Sequence, residues 1–160
     1  MNVKSIAIAT LVAGTLDIGS AIAMTAARGK SVAAMLSFVA SGPFGDGVAQ
    51  LGAAGAIAGL AVHFGIMTAM VTIFAATVDR LPALRRRPLG VGAAYGLLLY
   101  LVMYWIVIPL RWPETLNHIR LGAIANALTI HVLLVGIPIA WIVARPVGSR
   151  ERTLSNAPLG

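Results

Sequence analysis

Between Asp46 and Asp79 the chain runs 32 residues, Gly47 to Val78, without a charged side chain. Three other stretches share that character: Ser5 to Ala27 contains only Asp17, and Pro88 to Leu110 and Leu121 to Ala144 contain no charge. A helix needs about 20 apolar residues to cross a hydrocarbon core of roughly 30 Å, so four crossings fit. Ala- and Leu-rich runs without strand alternation close their backbone hydrogen bonds within each segment, as lipid demands. The expected fold class is therefore an all-α integral membrane protein, a bundle of four transmembrane helices over residues 5–27, 52–78, 88–110 and 120–144.

The longest run exceeds one upright crossing, because 32 residues rise about 48 Å at 1.5 Å each. Tilt or an interfacial first turn is expected to absorb the excess. Residues 32–40 are helical in composition but span only about 13 Å before Ser41-Gly42-Pro43-Phe44-Gly45-Asp46-Gly47 breaks the chain. They are expected to form a short helix, interfacial or re-entrant, between the first two crossings. Lys4, the apolar stretch and Ala21-Ile22-Ala23 imitate a secretory signal, but Asp17 falls where an uncharged h-region belongs, so retention as a helix is expected. Residues 1–145 then make one transmembrane domain, and 146–160 a polar cytoplasmic tail.

Twelve Lys/Arg against five Asp/Glu give a net charge of +7. Such an excess can mark nucleic-acid binding, yet here the basic residues lie between long uncharged runs, so the expected partner is the lipid bilayer and not a nucleic acid. Four crossings put eight basic residues (Lys4, Arg80, Arg85, Arg86, Arg87, Arg145, Arg150, Arg152) on one side and four (Arg28, Lys30, Arg111, Arg120) on the other. Positive loops stay inside, which places both termini in the cytoplasm. Arg85, Arg86 and Arg87 are read as topology anchors that also suit anionic headgroups. Trp105 and Trp112 are expected near the outer interface and Trp141 near the inner one.

The informative side chains are the polar ones inside the membrane. Counted from the inner helix ends, Asp17, His63 and His131 lie at depths of about 18, 24 and 20 Å, so the three can share one layer. A carboxylate there costs at least ~2.5 kcal/mol on insertion scales, so Asp17 is expected to face the bundle, protonated or paired. An aspartate–histidine pair in a low-dielectric layer is able to change charge near neutral pH. Asn126 and Thr129 lie near His131, and Tyr100 is placed to reach the same layer, whereas Tyr104 is read as an interface residue. Interhelical hydrogen bonding that fixes register is the plainer reading of the same residues. Pro138 is read as a kink in the last helix.

Enzyme chemistry finds no footing. Gly29-Lys30-Ser31 lacks the first glycine and the strand of a phosphate-binding loop, and neither a metalloprotease helix nor a nucleophile elbow is present. The chain has no cysteine, hence no thiolate metal site and no Cys nucleophile. His63 and His131 are candidate metal ligands, but zinc needs a third and only Asp17 has the depth. No cofactor is expected; a haem held between the two histidines is an alternative. His118 is read as a solvated loop residue. Gly14, Gly52, Gly55, Gly59, Gly92 and Gly96 make small-residue faces suited to close packing, in a homodimer or against another membrane subunit. Leu60-Ala61-Val62-His63 and Leu128-Thr129-Ile130-His131 suggest a parallel internal repeat.

The order of features is similar to a known group. A glycine-rich helix ends in His63-Phe64, a turn reads Leu81-Pro82-Ala83-Leu84-Arg85, a Gly-x-x-x-Gly helix closes on Ile108-Pro109-Leu110, and a last helix bears a histidine. Over about residues 5–144 this resembles the YagU-like group of small bacterial inner-membrane proteins. The resemblance implies a bacterial cytoplasmic membrane and four helices, and it assigns no catalytic residue.

The functional expectation is a non-enzymatic, polytopic inner-membrane protein whose Asp/His layer responds to protons or holds a small ligand. A small dimeric proton-coupled transporter and a structural or assembly subunit of a membrane complex are the alternatives. The charge count carries its own test. A reporter active only outside the cytoplasm should be active when fused after Asp46 or Glu114 and silent after Arg86, and the opposite pattern would invert the topology.

Overall fold

The computed structural model describes residues 2–118 and 120–145. Among these residues every regular element is helical. Helices α1 (Val3–Ala27), α3 (Ala53–Arg80), α4 (Pro88–Arg111) and α5 (Leu121–Ala144) are each long and apolar enough to cross a membrane, and α2 (Val32–Phe44) is a shorter apolar helix between the first two. The chain is a multi-pass, helical membrane protein. Turns of 3-10 helix at Asp46–Leu51, Pro82–Arg86 and Pro113–His118 link α2 to α3, α3 to α4 and α4 to α5. The expected tail, 146–160, and the His118 side chain lie outside the described residues.

Local chemistry sets the helix ends. Asn2 Oδ1 accepts the amides of Lys4 (3.0 Å) and Ser5 (3.5 Å) at the start of α1, leaving fewer orphan donors. At its end Gly29 adopts φ +65°, while the Gly29 amide reaches the Ala26 carbonyl (2.9 Å) and the Lys30 amide reaches that of Thr25 (3.1 Å). This is a glycine-terminated Schellman turn. Helix α2 outruns its expected limit at residue 40: it continues through Ser41 and Gly42 to Phe44, and Gly45 at φ +79° stops it. Pro43 is tolerated because it stands in the last turn, where its missing N–H deprives one carbonyl only. Gly52 at φ +55° delays α3 to Ala53, and the surplus of the long uncharged run coils as the Asp46–Leu51 turn.

In the bundle α5 touches α1, α3 and α4, and α2 lies on α3. The core gathers Ala9 and Ala13 of α1, Met67, Val71 and Phe74 of α3, Leu99 of α4, and Val135 and Ile139 of α5. Glycine permits the closest approaches. A side chain at Gly59 would run into the Leu36 backbone, and one at Gly55 into the Val48 carbonyl, so α2 and its following turn seat directly on the α3 backbone. Gly92 and Gly96 of α4 meet Gly136, His131 and Val132 of α5 in the same way. The close packing expected at Gly14, Gly55, Gly59, Gly92 and Gly96 is thus made within the chain, whereas Gly52 has nothing within 4 Å. Leu36, Ser37, Ala40 and Ser41 form the buried face of α2, which docks it on the bundle one helical turn, about 6 Å, from the level of His63.

Ion pairs tie the two ends. Arg85 donates to Asp79 Oδ1 (2.7 Å) and to the Val143 carbonyl (3.2 Å), fastening α3 to the last turn of α5. Cations there also suit the negative end of a helix dipole. Of the three arginines read as surface anchors, Arg85 is also tied within the chain although its side chain is 36% exposed, while Arg86 and Arg87 are exposed. At the opposite end Arg111 pairs with Asp46 (2.7 Å), and Trp112 stacks on Phe38 with centroids 4.3 Å apart.

The glycine contacts generate a direct expectation. Gly59→Ala pushes a methyl into backbone that has no rotamer with which to yield, at an expected cost of roughly 1–3 kcal/mol. Gly65→Ala, where nothing lies within 4 Å, should leave stability unchanged or raise it by up to about 1 kcal/mol. Thermal unfolding of both variants in lipid nanodiscs measures the difference, and equal melting would contradict the α2–α3 contact.

Candidate functional site: a polar cavity inside the bundle

Each helix contributes to one cavity of about 240 Å³. Asp17 comes from α1, Met35 and Val39 from α2, His63 from α3, Tyr104 from α4, and Asn126 and His131 from α5. Four of the polar residues singled out from sequence, Asp17, His63, His131 and Asn126, therefore line the same space. Tyr100 does not. It is 4% exposed, accepts a hydrogen bond from Trp105 Nε1 (3.4 Å), and packs edge-on against His131 with centroids 6.2 Å apart. Tyr104, assigned above to the outer interface, lines the cavity, its ring 5.6 Å from that of His131.

The α1–α3 contact sets the chemistry of His63. Gly14 has no Cβ, and one built there would lie 2.6 Å from the Phe64 ring. The bare backbone lets the His63 ring reach across, with Nε2 3.0 Å from the Gly14 carbonyl. A carbonyl oxygen only accepts, so Nε2 carries the proton in the neutral ring and Nδ1 is the nitrogen with the free lone pair. Nδ1 faces Asp17 Oδ2 at 3.9 Å, the side chains 10% and 24% exposed. At 3.9 Å the two groups form an ion pair when the ring is protonated but are too far apart for a direct hydrogen bond.

His131 is held the opposite way round. Its Nδ1 lies 2.9 Å from the Ala127 carbonyl one turn back, which puts the proton on Nδ1 and leaves Nε2 with a free lone pair. At the exposed rim, Asn126 donates from Nδ2 to the Met24 sulfur (3.2 Å). Asp17 itself stands beside Ser20, whose hydroxyl donates to the Asp17 backbone carbonyl (2.7 Å), so the serine leaves the carboxylate unencumbered.

Both later helices change register at this cavity. Met103–Val107 in α4 and His131–Gly136 in α5 are π-helical, and each is followed at once by an Ile-Pro step, Ile108-Pro109 and Ile137-Pro138. A proline at position i removes the donor for the carbonyl at i−4 and crowds it, and a widened turn ahead of it absorbs the misfit. Pro138 thus produces a π-turn rather than the simple kink expected. The proposed repeat also changes: His63 sits in regular α-helix and His131 opens a π-turn, whereas the π-turn with Ile-Pro recurs in α4 and α5. The repeated Ile-Pro dipeptide was the available signal.

Among the described residues, no three His, Cys, Asp or Glu side chains come together as a metal site. Because His63 gives Nε2 to Gly14, the arrangement lends no support to a haem held by Nε2 of both histidines. Histidine-labelled ¹⁵N NMR in lipid at a pH where both rings are neutral should show opposite tautomers, Nε2–H for His63 and Nδ1–H for His131, assigned with His63→Asn and His131→Asn. Two rings of the same tautomer would contradict the geometry. Comparison with family models, curated proteins and solved structures returns no match, so the functional reading of this cavity rests on its geometry.

Proposed function

We propose that this chain is a non-enzymatic inner-membrane protein of the YagU-like kind, in a bacterial cytoplasmic membrane with both termini in the cytoplasm, whose cavity takes a small ligand under control of protonation. The observation that carries the reading is the convergence of Asp17, His63, His131 and Asn126 on one cavity, with Asp17 and His63 3.9 Å apart. Buried ionisable groups in lipid are expensive and are tolerated where they face a polar interior. The titratable groups facing that interior are Asp17 from α1, His63 from α3, Tyr104 from α4 and His131 from α5; α2 adds only Met35 and Val39.

A transport role has one observation in its favour. A second pocket, lined by Thr115, Arg120 and Tyr100, shares Tyr104 and Ile108 with the central cavity. Tyr104 and Ile108 form the wall that the two pockets share.

Asp17→Asn and His131→Ala should leave insertion and helix content intact while altering how Tyr and Trp fluorescence of the protein in liposomes varies over pH 5–8, the range in which a histidine switch acts. Two variants with wild-type pH profiles would eliminate the proton-controlled cavity.

A further inference from the structure

All five methionines after Met1 line the central cavity, and none lies elsewhere. The cavity is built from nineteen residues of a 160-residue chain, so a random distribution would place fewer than one of them there. Packing alone does not ask for this. Met67 and Met70 also pack with the apolar core, but away from the cavity wall that core, among the described residues, is filled with Val, Ile, Leu, Ala, Phe and Tyr and holds no methionine.

The sulfurs come from four separate helices: Met24 from α1, Met35 from α2, Met67 and Met70 from α3, and Met103 from α4. Helix α5 supplies the complementary donor, His131, whose Nδ1 is taken up by the Ala127 carbonyl so that Nε2 offers its lone pair. Thioethers are soft, neutral ligands that bind d¹⁰ monovalent metal ions, and imidazole joins them readily. Hard cations prefer oxygen ligands, and the cavity offers few beyond the Asp17 carboxylate. Charge points the same way: one Asp17 carboxylate balances one monovalent cation, which a low-dielectric interior requires, whereas a divalent ion would leave a net charge.

We propose that the cavity is a binding site for Cu(I), built from methionine thioethers and the His131 imidazole and neutralised by Asp17. The proposal rests on the ligand-binding reading above and names its ligand.

The test is Cu(I) titration of the purified full chain in nanodiscs, under anaerobic reducing conditions against a chromophoric Cu(I) chelator. Wild-type protein should retain one equivalent, with sulfur in the first coordination sphere by X-ray absorption. Met35→Leu with Met103→Leu keeps apolar volume while removing two sulfurs, and should weaken binding at least tenfold with helix content unchanged. Asp17→Asn should also weaken it. Tetraphenylphosphonium serves as a purely apolar cation, insensitive to the Met-to-Leu exchange. No retained Cu(I), unchanged affinity in the double leucine variant, or phosphonium binding without Cu(I) binding would each overturn the proposal. A wild-type pH response that persists without Cu(I) binding overturns the metal assignment alone, whereas a pH response insensitive to Asp17→Asn and His131→Ala removes the proton-controlled cavity beneath it.

Discussion

Helix backbones that touch at glycine are the constraint from which the rest of this architecture follows. At Gly14 the missing side chain brings α1 and α3 close enough for His63 to bond the α1 backbone across the interface (3.0 Å). At Gly59 it seats α2 on α3, and at Gly92, Gly96 and Gly136 it locks α4 to α5. In lipid there is little hydrophobic gain from bringing helices together, so packing and hydrogen bonds between close backbones must hold the bundle.

The polar layer is consequently built on fixed protons. Two backbone carbonyls, those of Gly14 and Ala127, each hold one nitrogen of a histidine and so define which nitrogen faces the cavity. Second-partner hydrogen bonds of this kind fix the tautomer and orientation of a ring before any ligand arrives. The result is an asymmetric site: His63 Nδ1 is directed at Asp17, and His131 Nε2 is left available. The π-turns in α4 and α5 place Met103, Tyr104 and His131 at that same wall, and such turns often accompany functional sites.

Much of this was legible in the sequence because charge is costly in lipid and its absence is easy to see. The four uncharged runs marked the four crossings, with Asn2 capping the earlier start of α1 and Gly52 delaying that of α3. Depth along the helix likewise brought Asp17, His63 and His131 to one level. What sequence could not supply was rotation about each helix axis. Tyr104 and Tyr100 stack one turn apart on one face, and only the packed bundle shows that the former lines the central cavity while the latter is buried beside it. Pro109 and Pro138 announce a disturbance, but whether a helix kinks or widens depends on what its neighbour allows. The methionines were invisible for a chemical reason: read by hydropathy they are simply apolar, and their common destination emerges only when four helices are assembled.

The central claim is that Asp17 and His63 face one another inside the bundle, and it is most directly tested by dipolar recoupling NMR on protein labelled with ¹³C-carboxyl aspartate and ¹⁵N-histidine in lipid. The 3.9 Å approach of Asp17 Oδ2 to His63 Nδ1 predicts clear dephasing between the Asp17 carboxyl carbon and that nitrogen, lost in His63→Asn. A carboxyl signal that shows no coupling to His63 in well-folded protein would contradict the account.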